Sequence, residues 1–491
     1  MLGSAAVPRR FRAGLVFVLA LAAFNLSFWL TRETVAQWDE SLYASSAVEM
    51  VNSGDWVTTT YHGRPDYYNS KPPLNTWILA ASFELGGINL LSLRLASVVA
   101  AWTTVLVLML WARRFFGDRT ALLAGLILST SFGFLHVHSG RSGNPDALMT
   151  LLLLLVLVVT STADEKPKRL VWLGPLLAGV FLLKGMAVLL PLAFIAGAQV
   201  WRMRAGKAWP SRPLLVAASL MLAPALLWAF ARWRADQWTF LQLLITQDLF
   251  LASTRALEGH AGSLLYYPDI LQRYQYDWLI AALVAGTLFW TRVRERVRQE
   301  VAGLRRGEGA TFVAVTWTIV CLGVLTAMQT KLPWYINPLY PVFALSVAGV
   351  LATGLFATER PASFSSAKSA RSMAWRRQTV WIVAALALVV AETKLLWQPV
   401  HNRDLAGSTQ ELLMSARHDL EGHVVFRAVW PRDEVFVLRG ISGASPAMAV
   451  DVTSFLEIAG DGDFLLADAD LTHPSLALVL SNGRHSLFRR Q

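Results

Sequence analysis

The chain contains one cysteine, Cys321, and very little charge. Only 16% of its 491 residues are Asp, Glu, Lys or Arg, against about 25% in an ordinary soluble domain. A single thiol excludes an intramolecular disulfide framework and a cysteine-rich metal site. With 55% hydrophobic residues, so few charges also exclude a disordered chain, which must stay solvated along its length. Composition equally opposes the three or so soluble domains that length alone suggests at roughly 150 residues each. No phosphate-binding glycine-rich motif, no G-x-S-x-G nucleophile and no soluble-type repeat occurs. A cleavable signal peptide is not evident either. The first apolar run lacks a small-residue cleavage site and continues into Phe28-Trp29-Leu30.

What the chain does have is 20 Trp, 24 Phe and long apolar runs. Runs near the 20 or so residues needed to cross a bilayer fall at approximately 13–31, 90–111, 120–137, 145–160, 170–183, 185–201, 213–231, 278–290, 311–329, 336–357 and 378–396. The pair 170–183 and 185–201 is separated by Lys184-Gly185, which reads as a turn back at one face. Segment 74–87 reads as a further short or interfacial helix. The expected fold is an all-α polytopic membrane protein of about eleven to thirteen transmembrane helices.

The net charge of +11 suggests nucleic acid until its placement is considered. Clusters at 9–12, 113–119, 166–169, 202–212, 292–306 and 360–377 hold more than half of the 44 basic residues. All of them fall on one face if the N-terminus is cytoplasmic, which is the positive-inside pattern. Charge scattered over separate short loops argues against a nucleic-acid partner. This topology places three large pieces outside: a first loop at 32–89, a middle loop at 232–277 and a tail at 397–491. The tail reads as a small soluble α/β domain following a membrane domain over 1–396. Its expected strands are 424–429 and 434–438, and its helix runs from Glu411 to Leu420. The Pro-, Ser- and Arg-rich segment 358–377 reads as a cytoplasmic linker.

Ionisable residues at membrane depth are costly and therefore candidate sites. On the external side, Asp39-Glu40 opens a stretch with Tyr43, Ala47, Met50 and Val51 at helical spacing and Gly54 as a stop, an amphipathic helix on the membrane surface. Lys71, before Pro72-Pro73, is pinned at the start of an apolar run, where an ammonium can meet a lipid phosphate. Asp146 falls in the first turn of a span. Lys184 lies between two apolar runs, and Lys331 and Tyr335 lie at the start of another. Each alone fits a helix-end residue. Their agreement on the face opposite the arginine clusters points to a site that holds an anionic lipid and deprotonates something. Four external histidines (His62, His136, His138 and His260) show no metal-ligand spacing.

The ordered set Asp39-Glu40-x-x-Tyr43, Gly54-Asp55-Trp56, Lys71-Pro72-Pro73, Asp146, Leu183-Lys184-Gly185 and Lys331-Leu332-Pro333-x-Tyr335 resembles the GT-C superfamily of integral-membrane glycosyltransferases. It is most similar to the bacterial branch of aminoarabinose transferases and relatives of protein O-mannosyltransferases. The resemblance covers most of residues 10–357. It implies a polyprenyl-phosphate-linked sugar donor, a bacterial plasma-membrane location and an active site on the external loops. It implies catalytic Asp39 with Glu40 beside it, Lys71 on the lipid phosphate, Asp146 as a second acidic position near the cavity and Tyr335 near that phosphate; Lys184, Lys331 and Tyr43, from the same motifs, are further candidate contacts to substrate or lipid phosphate. No cofactor is required, although His260 resembles a loop histidine that joins a divalent metal site. Two departures stand out. Asn69-Ser70 replaces the aromatic-Glu pair common before the lysine, which removes a carboxylate partner for His260. Leu42 replaces the arginine of aminoarabinose transferases, so that sugar specificity does not carry over.

Chemistry agrees with these assignments. A leaving phosphate gains negative charge, which a preorganised cation stabilises. An attacking hydroxyl loses its proton to a carboxylate. The reading is an inverting transfer to a lipid, glycan or protein acceptor, with membrane lipids as neighbours. A transporter or flippase of lipid-linked sugars is the alternative, although paired repeats and broken midplane helices are not evident.

Overall fold

The computed structural model describes residues 8–356 and 367–490. Residues 358–366 of the expected linker lie outside the described residues, and from Ala367 the chain is helical rather than a loop. The membrane body is built from α1 (Arg9–Ser27), α4 (Leu90–Phe116), α5 (Asp118–Ser129), α6 (Phe132–His136), α7 (Asp146–Ser161), α8 (Leu173–Lys184), α9 (Leu189–Arg204), α10 (Ser211–Asp236), α13 (Tyr266–Leu288), α14 (Trp290–Arg306), α15 (Gly309–Ala327), α16 (Tyr340–Leu355) and α17 (Ala367–Asn402). Ahead of α4 come α2 (Asp39–Ser53), the hairpin β1 (Thr60–Tyr61) and β2 (Arg64–Pro65), and α3 (Leu74–Gly86). Between α10 and α13 lie the short α11 (Thr239–Ile245) and α12 (Ala252–Thr254).

Among the described residues, seven helical segments are long and apolar enough to cross a membrane, with 167–204, which holds both α8 and α9, counted as one; about eleven to thirteen were expected. The other apolar runs are helical but shorter or more polar. α5 has 12 residues and α7 has 16, so at 1.5 Å per residue they fall short of the hydrocarbon core of about 30 Å. α13 has 23 residues but carries Asp269, Arg273 and Asp277.

The segment 167–204 is a hairpin. Gly185, at φ +54, breaks the run in a conformation that suits a residue without a Cβ. The two bases meet again where Arg202 Nη2 lies 2.5 Å from Asp164 Oδ1, while Lys184 at the tip reaches Asp146 at the start of α7. The basic clusters gather at the base. Arg114 pairs with Glu165, Lys207 with Glu308, and Arg113 lies over Phe11. Asp39, Asp146 and Lys184 therefore occupy the end of the body away from those arginines.

α2 has two acidic residues in its first turn, favourable to its dipole, and ends at Gly54, whose N–H bonds Met50 O. It does not lie on a membrane surface. Ten of its 15 residues are buried, Ser41, Ser45 and Ser46 among them, because Tyr43, Ala44, Ala47 and Val48 are covered from two sides. They pack with Leu79 and Phe83 of α3 on one side and Leu412, Phe436 and Val437 of the tail on the other.

The tail forms a five-stranded mixed sheet in the order β4 (Ser445–Met448), β3 (Val424–Arg427), β5 (Phe464–Asp468), β7 (His485–Arg490), β6 (Leu476–Ser481). β3 is parallel to both β4 and β5, and the β5, β7 and β6 pairs are antiparallel. The expected helix is present as α18 (Thr409–Ser415), capped by Ser408, and α19 (Arg417–Leu420). A helix α21 (Val452–Ile458) precedes β5. The strand expected at 434–438 is instead helical, starting with α20 (Arg432–Phe436). Pro431 leads in, Asp433 and Glu434 fill the first turn, and the apolar run that follows is buried all round. Such a run has no period to distinguish strand from helix.

Candidate active site

Five separate elements bring polar side chains together at the end opposite the arginine clusters. Asp39 is the first residue of α2, and its carboxylate lies 3.6 Å from Nδ1 of His138. Asp39 keeps about 40% of its side chain exposed, so it can meet a ligand. His138 sits in the loop between α6 and α7 at φ +52, a left-handed conformation uncommon for a residue with a Cβ. Its ring stacks on Trp334, with centroids 3.7 Å apart and planes at 9°, and Asn144 Nδ2 lies 3.1 Å from the same Nδ1. Burial pushes the His138 imidazole below its ordinary range. Lys184 acts in the same direction, against Asp39, Asp146 and Glu40.

Asp146, entering α7 behind Pro145, accepts a hydrogen bond from Lys184 Nζ at 2.7 Å. That ammonium also lies 5.7 Å from the Tyr335 ring centroid. The hairpin tip, the start of α7 and the loop before α16 thus place a carboxylate, a cation and two aromatic rings beside Asp39.

Glu40 faces the other way. It is fully buried, with Arg94 Nε at 2.9 Å, the Ala36 N–H at 2.8 Å and the Gly143 N–H at 3.0 Å. Arg403, just beyond α17, reaches both Glu40 (3.4 Å) and Glu33 (3.3 Å), and Glu33 also holds Arg141. Burial works to raise the Glu40 pKa, but Arg94, Arg403 and the Ala36 N–H together bring it down to about 2. Glu40 is therefore a strut under Asp39, linking α2 to the loop that carries His138 and Asn144.

The remaining residues divide. Lys71 is half-buried at the mouth of α3, one turn before Asn75, whose Nδ2 bonds Gly143 O at 3.0 Å. α3 thus abuts the same loop. Tyr335 is half-buried against the helical core. Tyr43 is buried between α2 and its neighbours. Lys331 donates to Met328 O (2.7 Å) and Thr326 O (2.8 Å), closing the carbonyl end of α15. That use engages its ammonium in the helix end. His260 lies 3.9 Å from Glu258, which accepts from the Tyr68 hydroxyl at 2.9 Å. Among the described residues no three His, Cys, Asp or Glu groups converge as metal ligands.

Two roles were not legible in the sequence. His138 gives no spacing signal, because its partners are 99 residues before it and 196 after it. The buried lattice of Glu33, Glu40, Arg94, Arg141 and Arg403 left one trace, Arg94 inside an apolar run, since a charge there requires a partner.

Comparison with known proteins gives a consistent picture. A family model described as dolichyl-phosphate-mannose-protein mannosyltransferase matches residues 70–228. The undecaprenyl phosphate-alpha-4-amino-4-deoxy-L-arabinose arabinosyl transferase of Pseudomonas savastanoi pv. phaseolicola is 29% identical over 352 residues, 70% of this chain and 62% of that protein. The protein of the same name from Pseudomonas aeruginosa is 30% identical over 348 residues, 68% of this chain and 59% of that protein. The matched region therefore spans about three-fifths of the length of these relatives. In structure, ArnT from Cupriavidus metallidurans in the apo state superposes with a TM-score of 0.67 at 18% identity, covering 97% of this chain and 98% of that one. The archaeal oligosaccharyltransferase AglB from Archaeoglobus fulgidus superposes with a TM-score of 0.53 at 11% identity, covering 94% and 69%.

Proposed function

We propose that this chain is a member of the GT-C superfamily of integral-membrane glycosyltransferases, a reading supported by its fold and its relatives, and that it moves a sugar from a polyprenyl-phosphate donor to an acceptor hydroxyl or amine. The observation that carries the reading is the convergence of the Asp39–His138 pair with the Asp146–Lys184 pair at one end of the helical body. The first supplies a base, and the second supplies a preorganised cation. The reaction needs both.

In this reading the acceptor's oxygen or nitrogen attacks the anomeric carbon as its proton passes to the Asp39 carboxylate. The bond from that carbon to the phosphate oxygen breaks, and its electron pair leaves with the polyprenyl phosphate. Lys184, aimed by Asp146, and Lys71, at the mouth of α3, meet the growing phosphate charge in a water-poor setting where a fixed cation counts most. Tyr335 borders the same ammonium. A phosphate leaves readily without a proton, so no general acid and no metal are required. One displacement inverts the anomeric carbon.

Opposite ends of the body carry this cluster and the arginine clusters, which supports a cytoplasmic N-terminus with the site and the tail on the external face of a bacterial inner membrane. The relatives' names specify aminoarabinose. Here Leu42, buried at 6% exposure, stands where the resemblance places an arginine, which supports a different sugar.

The test is transfer by the purified full chain, reconstituted with a radiolabelled polyprenyl-phosphate sugar and an envelope extract, beside mass spectrometry of envelope glycans from cells with and without the gene. One glycan, lipid or protein is expected to lose a sugar when the gene is absent, and Asp39→Asn is expected to abolish transfer. Unchanged transfer by Asp39→Asn refutes the base assignment. Donor movement across vesicles without transfer supports a flippase instead.

A further inference from the structure

At the opposite end of the α8–α9 hairpin from Lys184 there is a pocket of about 330 Å³, lined by Gly197, Val200, Trp201, Arg204, Ala205 and Arg305. Five of these six recur at i, i+3, i+4, i+7 and i+8 along α9 and so share one face. The sixth comes from the last turn of α14. The 16 residues of α9 put this pocket about 24 Å along the helix from the hairpin tip. It is therefore separate from the Asp39 cluster.

The pocket is divided by chemistry. Its inner wall is apolar. Gly197 leaves a gap, since a Cβ added there meets only Val320, at 3.7 Å. Val200 is about half-exposed at 49%, and Trp201 is fixed edge-on against Phe312. Its outer rim carries two exposed guanidiniums. The neighbouring arginines are accounted for: Arg202 by Asp164 and Gly307 O, and Arg306 by Glu308. The nearby acids are likewise engaged, Glu308 also by Lys207 and Glu300 by Thr311. Among the described residues Arg204 and Arg305 make no hydrogen bond or ion pair. Two unsatisfied forks at the head of an apolar groove match an amphiphile with an anionic head.

We propose that this groove binds an anionic glycerophospholipid, its phosphate held between Arg204 and Arg305 and one acyl chain lying along Gly197, Val200 and Trp201. The planar guanidinium fork pairs with phosphate oxygens two at a time. Such a lipid would clamp α9 to α14 across a contact that protein side chains leave open. The assignment is independent of the reaction proposed above.

The test is native mass spectrometry of the full chain released from detergent and titrated with phosphatidylglycerol, phosphatidylethanolamine or free sn-glycerol 3-phosphate. Phosphatidylglycerol is expected to give a persistent one-to-one adduct. Phosphatidylethanolamine, whose ammonium the arginines repel, is expected to bind at least about tenfold more weakly. The double variant Arg204→Ala/Arg305→Ala is expected to lose the adduct by a similar factor. Gly197→Leu keeps both charges and fills the groove, so it separates a pocket from mere surface charge. It too is expected to lose the adduct, while thermal unfolding in detergent shows that each variant is folded. If the double variant does not fold, Gly197→Leu alone decides. An adduct retained in Gly197→Leu overturns the proposal, as does one retained in a folded double variant. Equal binding of phosphatidylethanolamine, or of free glycerol phosphate, also overturns it, the latter by pointing to a soluble ligand.

Discussion

Nε of Arg94 lies 2.9 Å from Oε1 of Glu40, and neither side chain has any exposed surface. Arg94 stands in the first turns of a membrane helix and Glu40 in the first turn of the helix that presents Asp39, so the pair joins scaffold to site. Removing one partner leaves the other buried and charged. Arg94→Ala is therefore expected to destabilise the protein by about 3–5 kcal/mol, read as a lowered thermal unfolding midpoint in detergent. An exposed arginine such as Arg10 gives the control.

The same pair sets an acid limit. Glu40 is held at about 2, against an ordinary 4.5. A carboxyl depressed on folding adds stability above its unfolded pKa, and that stability is lost as pH falls from about 4.5 towards 2. The contribution is on the order of 3 kcal/mol. Glu40→Gln is expected to flatten the acid side of the stability curve while lowering its plateau. An unchanged acid limb would mean that other carboxyls set it.

Asp39 differs from its neighbour in every respect that matters for catalysis. It is part exposed, its partner is a histidine at 3.6 Å, and its removal strands no buried cation. Asp39→Asn is expected to lower transfer by roughly 10²–10⁴-fold with little change in unfolding midpoint. Glu40→Gln is expected to lose stability first, and activity only through it. Kinetics and melting measured on both variants separate the roles of two adjacent acids that the sequence alone could not divide.

How far the chain was readable follows from which signals are local. Length and hydropathy mark α4, α10 and α15, and charge bias sorts their ends, because both depend on a residue's own chemistry. The Lys184-Gly185 turn was legible for the same reason: a cation and a glycine interrupt an apolar run. The orientation of Glu40 was not, since adjacent helix positions differ by about 100° and only the distant Arg94 and Arg403 decide which one is buried. The helix at 432–436 was misread because its apolar residues are covered by α2 and α3, a context that residues 424–438 do not contain. His138 acquires its place from Trp334, 196 residues later.

His138 is expected to act as a positioning residue. Stacked on Trp334 and facing Asp39 and Asn144, it keeps the carboxylate aimed while staying neutral, because burial lowers its pKa below 6.5. For a histidine depressed on folding, the unfolded chain takes up the proton first, so stability falls as pH drops through about 6.5. His138→Ala and Trp334→Ala are each expected to reduce kcat with less effect on KM for the donor, and His138→Ala to remove that acidic loss of stability. A parallel rise in KM would place the ring in donor binding instead.

The Asp146–Lys184 pair allows structure and chemistry to be separated. Nζ lies 2.7 Å from Oδ1, with side-chain exposures of 16% and 6%. Lys184→Met alone leaves a buried carboxylate without its cation and is expected to destabilise by about 3–5 kcal/mol. Asp146→Asn removes that charge as well, so the double variant is expected to recover much of the lost stability. It is not expected to recover transfer, because the leaving phosphate would still lack the ammonium. Stability is therefore expected to recover in the double variant while kcat stays at the level of Lys184→Met. If transfer returns along with stability, Lys184 serves only to hold the hairpin tip against α7, and the phosphate must be met by Lys71.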